Sequence, residues 1–138
     1  MIRGVHHINF LVRDLDEAVD RYQRLLGVRI DRRDELPGRG VHMARFRAGE
    51  TWIVLVQPVA DGEPMRHLEE HGEGFFLISY GVDDIAEAVA SLRAAGGHTT
   101  SDEARTGLDE WRVIDIAADE LNGTVVQLCQ DDVRRDRP

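Results

Sequence analysis

Residues 5–12 (VHHINFLV) alternate between long apolar side chains and polar interruptions and are rich in β-formers, which predicts a strand buried on both faces. Asp14 follows, with Glu17 three residues on. That spacing predicts a helix N-cap with a capping-box partner. Leu15, Ala18, Val19, Tyr22, Leu25 and Leu26 then fall at helical spacing, and Gly27 can end the helix in a left-handed conformation. Strand-like stretches follow at about 28–33, 41–47 and 51–57. The same order then recurs. FFLISYGV (75–82) reads as a strand, Asp84 and Glu87 repeat the cap, and Ile85, Ala88, Val89 and Leu92 form the helix stripe before Gly96 and Gly97. Strands are expected at about 98–101, 111–117 and 124–130.

The recurrence extends to residue identity. At an offset of seventy, Ile8, Val12, Asp14, Glu17, Ala18, Val19 and Gly27 match Ile78, Val82, Asp84, Glu87, Ala88, Val89 and Gly97. GETWIVLVQ (49–57) resembles NGTVVQLCQ (122–130), with Gln57 against Gln130. Two copies of one supersecondary unit are implied, each needing the other to close a core. The expected organisation is a single domain over 1–138 made of two βαβββ modules, about 1–58 and 73–131, with helices near 14–26 and 84–95. The stretches 34–40, 58–74 and 102–110 read as loops, and the final residues DDVRRDRP as a fraying tail.

Composition narrows the setting. A chain of 138 residues can bury one core, and no apolar run is long enough to span a membrane. A strand beginning next to Met1 leaves no expected signal peptide, and a single cysteine in a strand fits a reducing cytoplasm. Net charge is −9, and the only basic cluster is Arg134, Arg135 and Arg137, which argues against nucleic acid as a partner.

A strand, a capped helix ending in Gly and three strands, stated twice, resembles the vicinal oxygen chelate superfamily of glyoxalases, extradiol dioxygenases and bleomycin-resistance proteins. VHHINFLVRDLDEAVDRYQRLLGV and HLEEHGEGFFLISYGVDDIAEAV are most similar to its methylmalonyl-CoA epimerase-like branch, over about residues 4–130. The resemblance implies an α+β fold in which eight strands form an open, barrel-like mixed sheet around a central cavity. It also implies a divalent metal held by four inward residues, which fall here on His7, Val54, Leu77 and Gln127. In epimerases these are His, Glu or Gln, His and Glu. Val54 and Leu77 have no lone pair to donate, and the Gln127 amide is a weaker ligand than a carboxylate. No cofactor is therefore expected and a divalent metal is disfavoured. The residual ligand set, if there is one, is His7, Gln127 and Asp115.

Alternation and the family pattern give the inner surface. Asn9, Met43, Arg45, Trp52, Ser79, Trp111 and Asp115 join His7, Val54, Leu77 and Gln127 in a mostly apolar ligand-binding surface with a few polar groups. His7 is read as a catalytic or ligand-binding imidazole, a metal ligand or a hydrogen-bonded strand residue, and His6 is expected on the opposite face. Asp115 interrupts the apolar run VIDIA. It is an ion-pair partner of Arg45, its repeat mate, or an acid–base group working with His7, or it lies outside the cavity. Arg45 either holds a substrate carboxylate or enolate oxygen, or lies on an exposed face. The remaining histidines, His67 and His71 among them, read as solvated.

Three functions compete. The first is an isomerase or lyase moving a proton on a carbonyl or acyl-thioester substrate, with His7, Asp115 and Arg45 as catalytic residues and no metal. The second is a ligand- or antibiotic-binding protein, for which the charge of −9 and two tryptophans are suitable. The third is a metal enzyme with the atypical set above. By resemblance a homodimer is expected, with a small-molecule partner and no membrane partner.

Overall fold

The computed structural model describes residues 1–132. Arg134, Arg135 and Arg137, and most of the tail expected to fray, lie outside the described residues. Eight strands and three α-helices follow in order: β1 (Ile2–Leu11), α1 (Leu15–Leu26), β2 (Arg32–Leu36), β3 (Val41–Ala48), β4 (Thr51–Pro58), α2 (Glu63–His71), β5 (Gly74–Val82), α3 (Ile85–Ala94), β6 (Arg105–Thr106), β7 (Arg112–Ile116) and β8 (Val126–Gln130). The βαβββ order thus appears twice, with α2 between the copies. Two compact units divide the chain, residues 7–76 and residues 1–6 with 77 onward, so β1 and β5 each run from one unit into the other.

In the unit of residues 7–76 the strand order is β2-β3-β4-β1. β2/β3 and β3/β4 are antiparallel, and β4 is parallel to β1 with Trp52 opposite His7 and Val54 opposite Asn9. Val12, Leu15, Ala18, Ala44 and Leu55 form its core, with Phe10, Tyr22 and Ile30 packed against them. In the other unit the order is β5-β8-β7-β6, with β5 parallel to β8 and the remaining pairs antiparallel. Its core is Val82, Ile85, Ala88, Val89, Ile114, Ile116, Val126 and Leu128.

The repeated residues do the same work in both units. Asp14 Oδ1 accepts from Glu17 N, and Asp84 Oδ1 accepts from Glu87 N, each at 3.1 Å. The repeated glutamines cap the same helices from the neighbouring strand. Gln57 Oε1 accepts from Leu15 N at 2.8 Å, and Gln130 Oε1 accepts from Ile85 N at 2.9 Å. Each bond satisfies one of the amides that a helix start leaves open. Gly27 is left-handed at φ 65 and ends α1, as its position predicts. Charge is reversed between the copies: Arg3 pairs with Asp83, and Glu73 pairs with Arg13. The Arg3 guanidinium, hydrogen-bonded to Asp83, is held above its ordinary pKa.

Three expectations need correction. The segment 58–74 is not a plain loop, because α2 occupies Glu63–His71. Pro64 and flanking glycines read as loop signals, yet proline is tolerated in a first helical turn and Gly72 follows the last. β2 covers 32–36 rather than 28–33, so part of the expected 34–40 loop is strand. Its residues are mostly charged, as an edge strand allows, so hydrophobic periodicity does not reveal it. The strand expected at 98–101 reduces to a bridge between Thr99 and Ile116, while β6 lies inside the expected 102–110 loop. Among the described residues no helix is long and apolar enough to cross a membrane.

Candidate functional site

In the unit of residues 1–6 and 77 onward, a polar row crosses the sheet. Ser79 on β5 is opposite Gln127 on β8, and Gln127 is opposite Asp115 on β7. Opposite residues share a face, so the three side chains line up. Gln127 Nε2 donates to Asp115 Oδ1 at 3.1 Å, and Arg105 Nη1 from β6 lies 3.1 Å from Asp115 Oδ2. Ser79, Gln127 and Asp115 are buried, whereas the Arg105 side chain is 33% exposed. Ser79 Oγ and Gln127 Oε1 have no hydrogen-bond partner among the described residues.

Asp115 is 8% exposed, and Arg105 on β6 is an ion-pair partner of it within this unit. Arg105 is the residue that sequence reasoning missed. It sits ten positions before Asp115 in a stretch read as loop, and only the β6–β7 pairing brings it near. Leu77 and Trp111 in this unit are buried as expected.

His6 belongs to this unit and also departs from expectation. It is 2% exposed, its Nε2 lies 2.8 Å from Asp131 Oδ2, and its ring meets Trp111 edge-on at 4.5 Å. Simple alternation would make either His6 or His7 an outward residue, yet both are buried. Gly81 lies beside His6, and a Cβ built there would meet the His6 Cβ at an ordinary contact distance of 3.7 Å.

In the unit of residues 7–76, His7 is buried on β1 opposite Trp52. Arg45 on β3 is buried opposite Val54, which removes the exposed-face reading. Its guanidinium lies 4.5 Å from the Trp52 ring centroid, and that of Arg47 lies 4.0 Å away. Two cations on one indole are favourable cation–π contacts. Met43, Trp52 and Val54 are buried, and the half-buried Asn9 has an Oδ1 without a hydrogen-bond partner among the described residues.

Donor chemistry tests the implied metal. Of the four family positions, His7 and Gln127 carry lone pairs, whereas Val54 and Leu77 are hydrocarbon side chains buried at 1% and 3% exposure. Two donors do not make a divalent-metal site, so these four residues do not fit the group.

Two surface grooves of about 660 and 450 Å³ lie elsewhere. One runs along Arg3, Asp83, Asp84 and Glu87, the other along Phe10, Arg13, Glu17 and Tyr22. Neither includes a residue of the polar row.

Comparison with known proteins adds the following. The family model of the Glyoxalase/Bleomycin resistance protein/Dioxygenase superfamily matches residues 6–114. The ethylmalonyl-CoA/methylmalonyl-CoA epimerase of Cereibacter sphaeroides is 29% identical over 133 residues, covering 94% of this chain and 99% of the relative. The lactoylglutathione lyase of Haemophilus influenzae is 33% identical over 104 residues, covering 68% of this chain and 69% of the relative. A variant of Streptomyces coelicolor methylmalonyl-CoA epimerase, in complex with 2-nitronate-propionyl-CoA, shares the fold at a TM-score of 0.91 and 23% identity, over 95% of this chain and 99% of that one.

Proposed function

The chain belongs to the Glyoxalase/Bleomycin resistance protein/Dioxygenase superfamily, and from that premise we propose that it moves a proton at the carbon beside a carbonyl, as an epimerase-like isomerase of an acyl thioester. Its relatives make it an enzyme of the isomerase or lyase kind. The observation that carries the finer reading is the similarity to an ethylmalonyl-CoA/methylmalonyl-CoA epimerase over 94% of the chain.

His7 is the group assigned to the proton, because an imidazole can take and return one near neutral pH. Removing a proton beside a carbonyl builds negative charge on the carbonyl oxygen. A Lewis acid can carry that charge, but Val54 and Leu77 cannot hold one at the family position. Hydrogen-bond donors must then serve, and the buried Arg45 guanidinium is the strongest assigned to that task. Asp115 is committed to Gln127 and Arg105, so its part is to hold the Gln127 amide with its oxygen turned away from the carboxylate. We also propose a homodimer. Leu25 and Leu26 on α1 are 68% and 64% exposed, and sedimentation showing only monomer at micromolar concentration would reject it.

The test is isotope exchange. Methylmalonyl-CoA and ethylmalonyl-CoA are incubated with the protein in D2O, and deuterium at the carbon beside the thioester is followed by mass spectrometry. Exchange is expected with wild type and is expected to fall at least a hundredfold in His7→Ala at an unchanged melting temperature. Binding of both thioesters without exchange would favour the ligand-binding reading. Exchange that survives in His7→Ala would remove His7 from the role.

A further inference from the structure

In the unit of residues 1–6 and 77 onward, β5, β8 and β7 have two unlike faces. Ile114, Ile116, Val126 and Leu128 belong to the core that α3 covers. Ser79, Gln127 and Asp115 alternate with such residues and lie on the face that α3 does not cover. There Ser79 Oγ and Gln127 Oε1 have no hydrogen-bond partner among the described residues, although the two residues are 0% and 4% exposed. Leaving such oxygens buried and unpaired costs free energy, so they point to a ligand group that completes them. The amide is also locked in one orientation. The Asp115 carboxylate, held by Arg105 at 3.1 Å, only accepts hydrogen bonds. It takes a hydrogen from Gln127 Nε2 at 3.1 Å, and the amide oxygen must point elsewhere. Gln127 thus offers a fixed acceptor. Ser79 is opposite it, one strand spacing of about 4.8 Å away, and offers a hydroxyl that can donate.

Given an acyl-thioester isomerase, on which reading the assignment rests, we propose that Ser79 and Gln127 bind a hydroxyl group on the acyl chain of the substrate, so that the enzyme selects hydroxyacyl thioesters. One hydroxyl completes both atoms: its hydrogen goes to Gln127 Oε1, and its oxygen accepts from Ser79 Oγ. A carboxylate has no hydrogen to give, and it would set its charge against the amide oxygen with Asp115 next along the row. A substrate carboxylate is therefore turned away from this row. A methylene leaves both protein atoms unpaired, which is the loss by which a polar site rejects an apolar analogue. Asp115 is a positioning residue here. It acts on the substrate only by fixing which end of the Gln127 amide is presented.

Isothermal titration calorimetry with 2-hydroxybutyryl-CoA, 3-hydroxybutyryl-CoA and butyryl-CoA tests the assignment, because the three differ only in the hydroxyl. At least one hydroxyacyl thioester is expected to bind wild type at least tenfold more tightly than butyryl-CoA. Ser79→Ala should cut that ratio at least threefold while leaving butyryl-CoA affinity unchanged. Asp115→Asn should cut it too, since asparagine can donate or accept and the Gln127 amide is then free to turn over. A merely structural defect would weaken all three thioesters alike and leave the ratio as it was. Equal binding of the three by wild type, as expected if water fills the position, overturns the proposal and leaves the isomerase reading in place. So does a ratio that survives in both variants. Failure to bind any of the three also overturns it, and deuterium exchange of methylmalonyl-CoA then tells whether the isomerase reading falls with it.

Discussion

Removing Arg105 should hurt the fold more than neutralising Asp115, although the two form one ion pair. Their side chains are 33% and 11% exposed, so the partners do not lose equally when separated. Arg105→Ala strands a buried carboxylate that keeps only the Gln127 amide. Stranding a buried charge costs roughly 3–5 kcal/mol, and the residual exposure of Asp115 puts this case near the lower end, about 3 kcal/mol. Asp115→Asn leaves an Arg105 that can turn its guanidinium to water, and the asparagine oxygen still accepts from Gln127. The loss is then about 1–2 kcal/mol, the scale of one charge-assisted hydrogen bond. Urea unfolding with a common m-value measures both. At ~2–4 °C per kcal/mol for a chain near this size, the melting temperature of Arg105→Ala should fall by about 6–12 °C. The double variant Arg105→Ala, Asp115→Asn should be more stable than Arg105→Ala alone, because the unpaired charge is gone. A smaller loss for Arg105→Ala than for Asp115→Asn, or a double variant less stable than either, would refute the argument.

Three further outcomes are expected. Gln130→Ala removes the acceptor for Ile85 N at the start of α3 and should cost about 1 kcal/mol, with amide exchange accelerated at that first turn; unchanged exchange there would remove the capping role. Gly40→Ala should destabilise by more than about 1 kcal/mol, since φ is +65 and the new Cβ would lie 2.9 Å from the Ala60 Cβ, whereas Gly81→Ala meets its nearest atom at an ordinary 3.7 Å; equal stability of the two variants counts against this contrast. Burial, and next the neighbouring His71, hold His67 below its ordinary pKa of 6.5, so folding favours the neutral ring, whose contribution is complete above that value and is lost as pH falls below it. His67→Gln should therefore melt with a flatter dependence between pH 7 and 5, and an unchanged slope rejects the assignment.

Local chemistry and periodicity determined much of this protein by themselves. Asp14, Glu17 and Gly27, with their partners Asp84 and Glu87, mark helices that the structure places at Leu15–Leu26 and Ile85–Ala94. Gln57 and Gln130 match in the sequence repeat, and the structure shows that both cap a helix. The family resemblance, extended by alternation along β7 and β8, put Asp115 and Gln127 on one face, and the two are opposite each other in the sheet. The hydrocarbon character of Val54 and Leu77 is legible without coordinates. What only tertiary structure decided are the contacts between elements whose own patterns are weak. β2 is mostly charged and β6 is only two residues long, so their existence depends on pairing with β3 and β7 rather than on burial of their own side chains. Arg105 therefore reads as loop until β7 draws it beside Asp115. His6 reads as an outward residue until Trp111, Gly81 and Asp131 close around it. Short-range pattern reports which face a residue prefers, whereas the partner it finds there depends on long-range pairing, which no local period encodes.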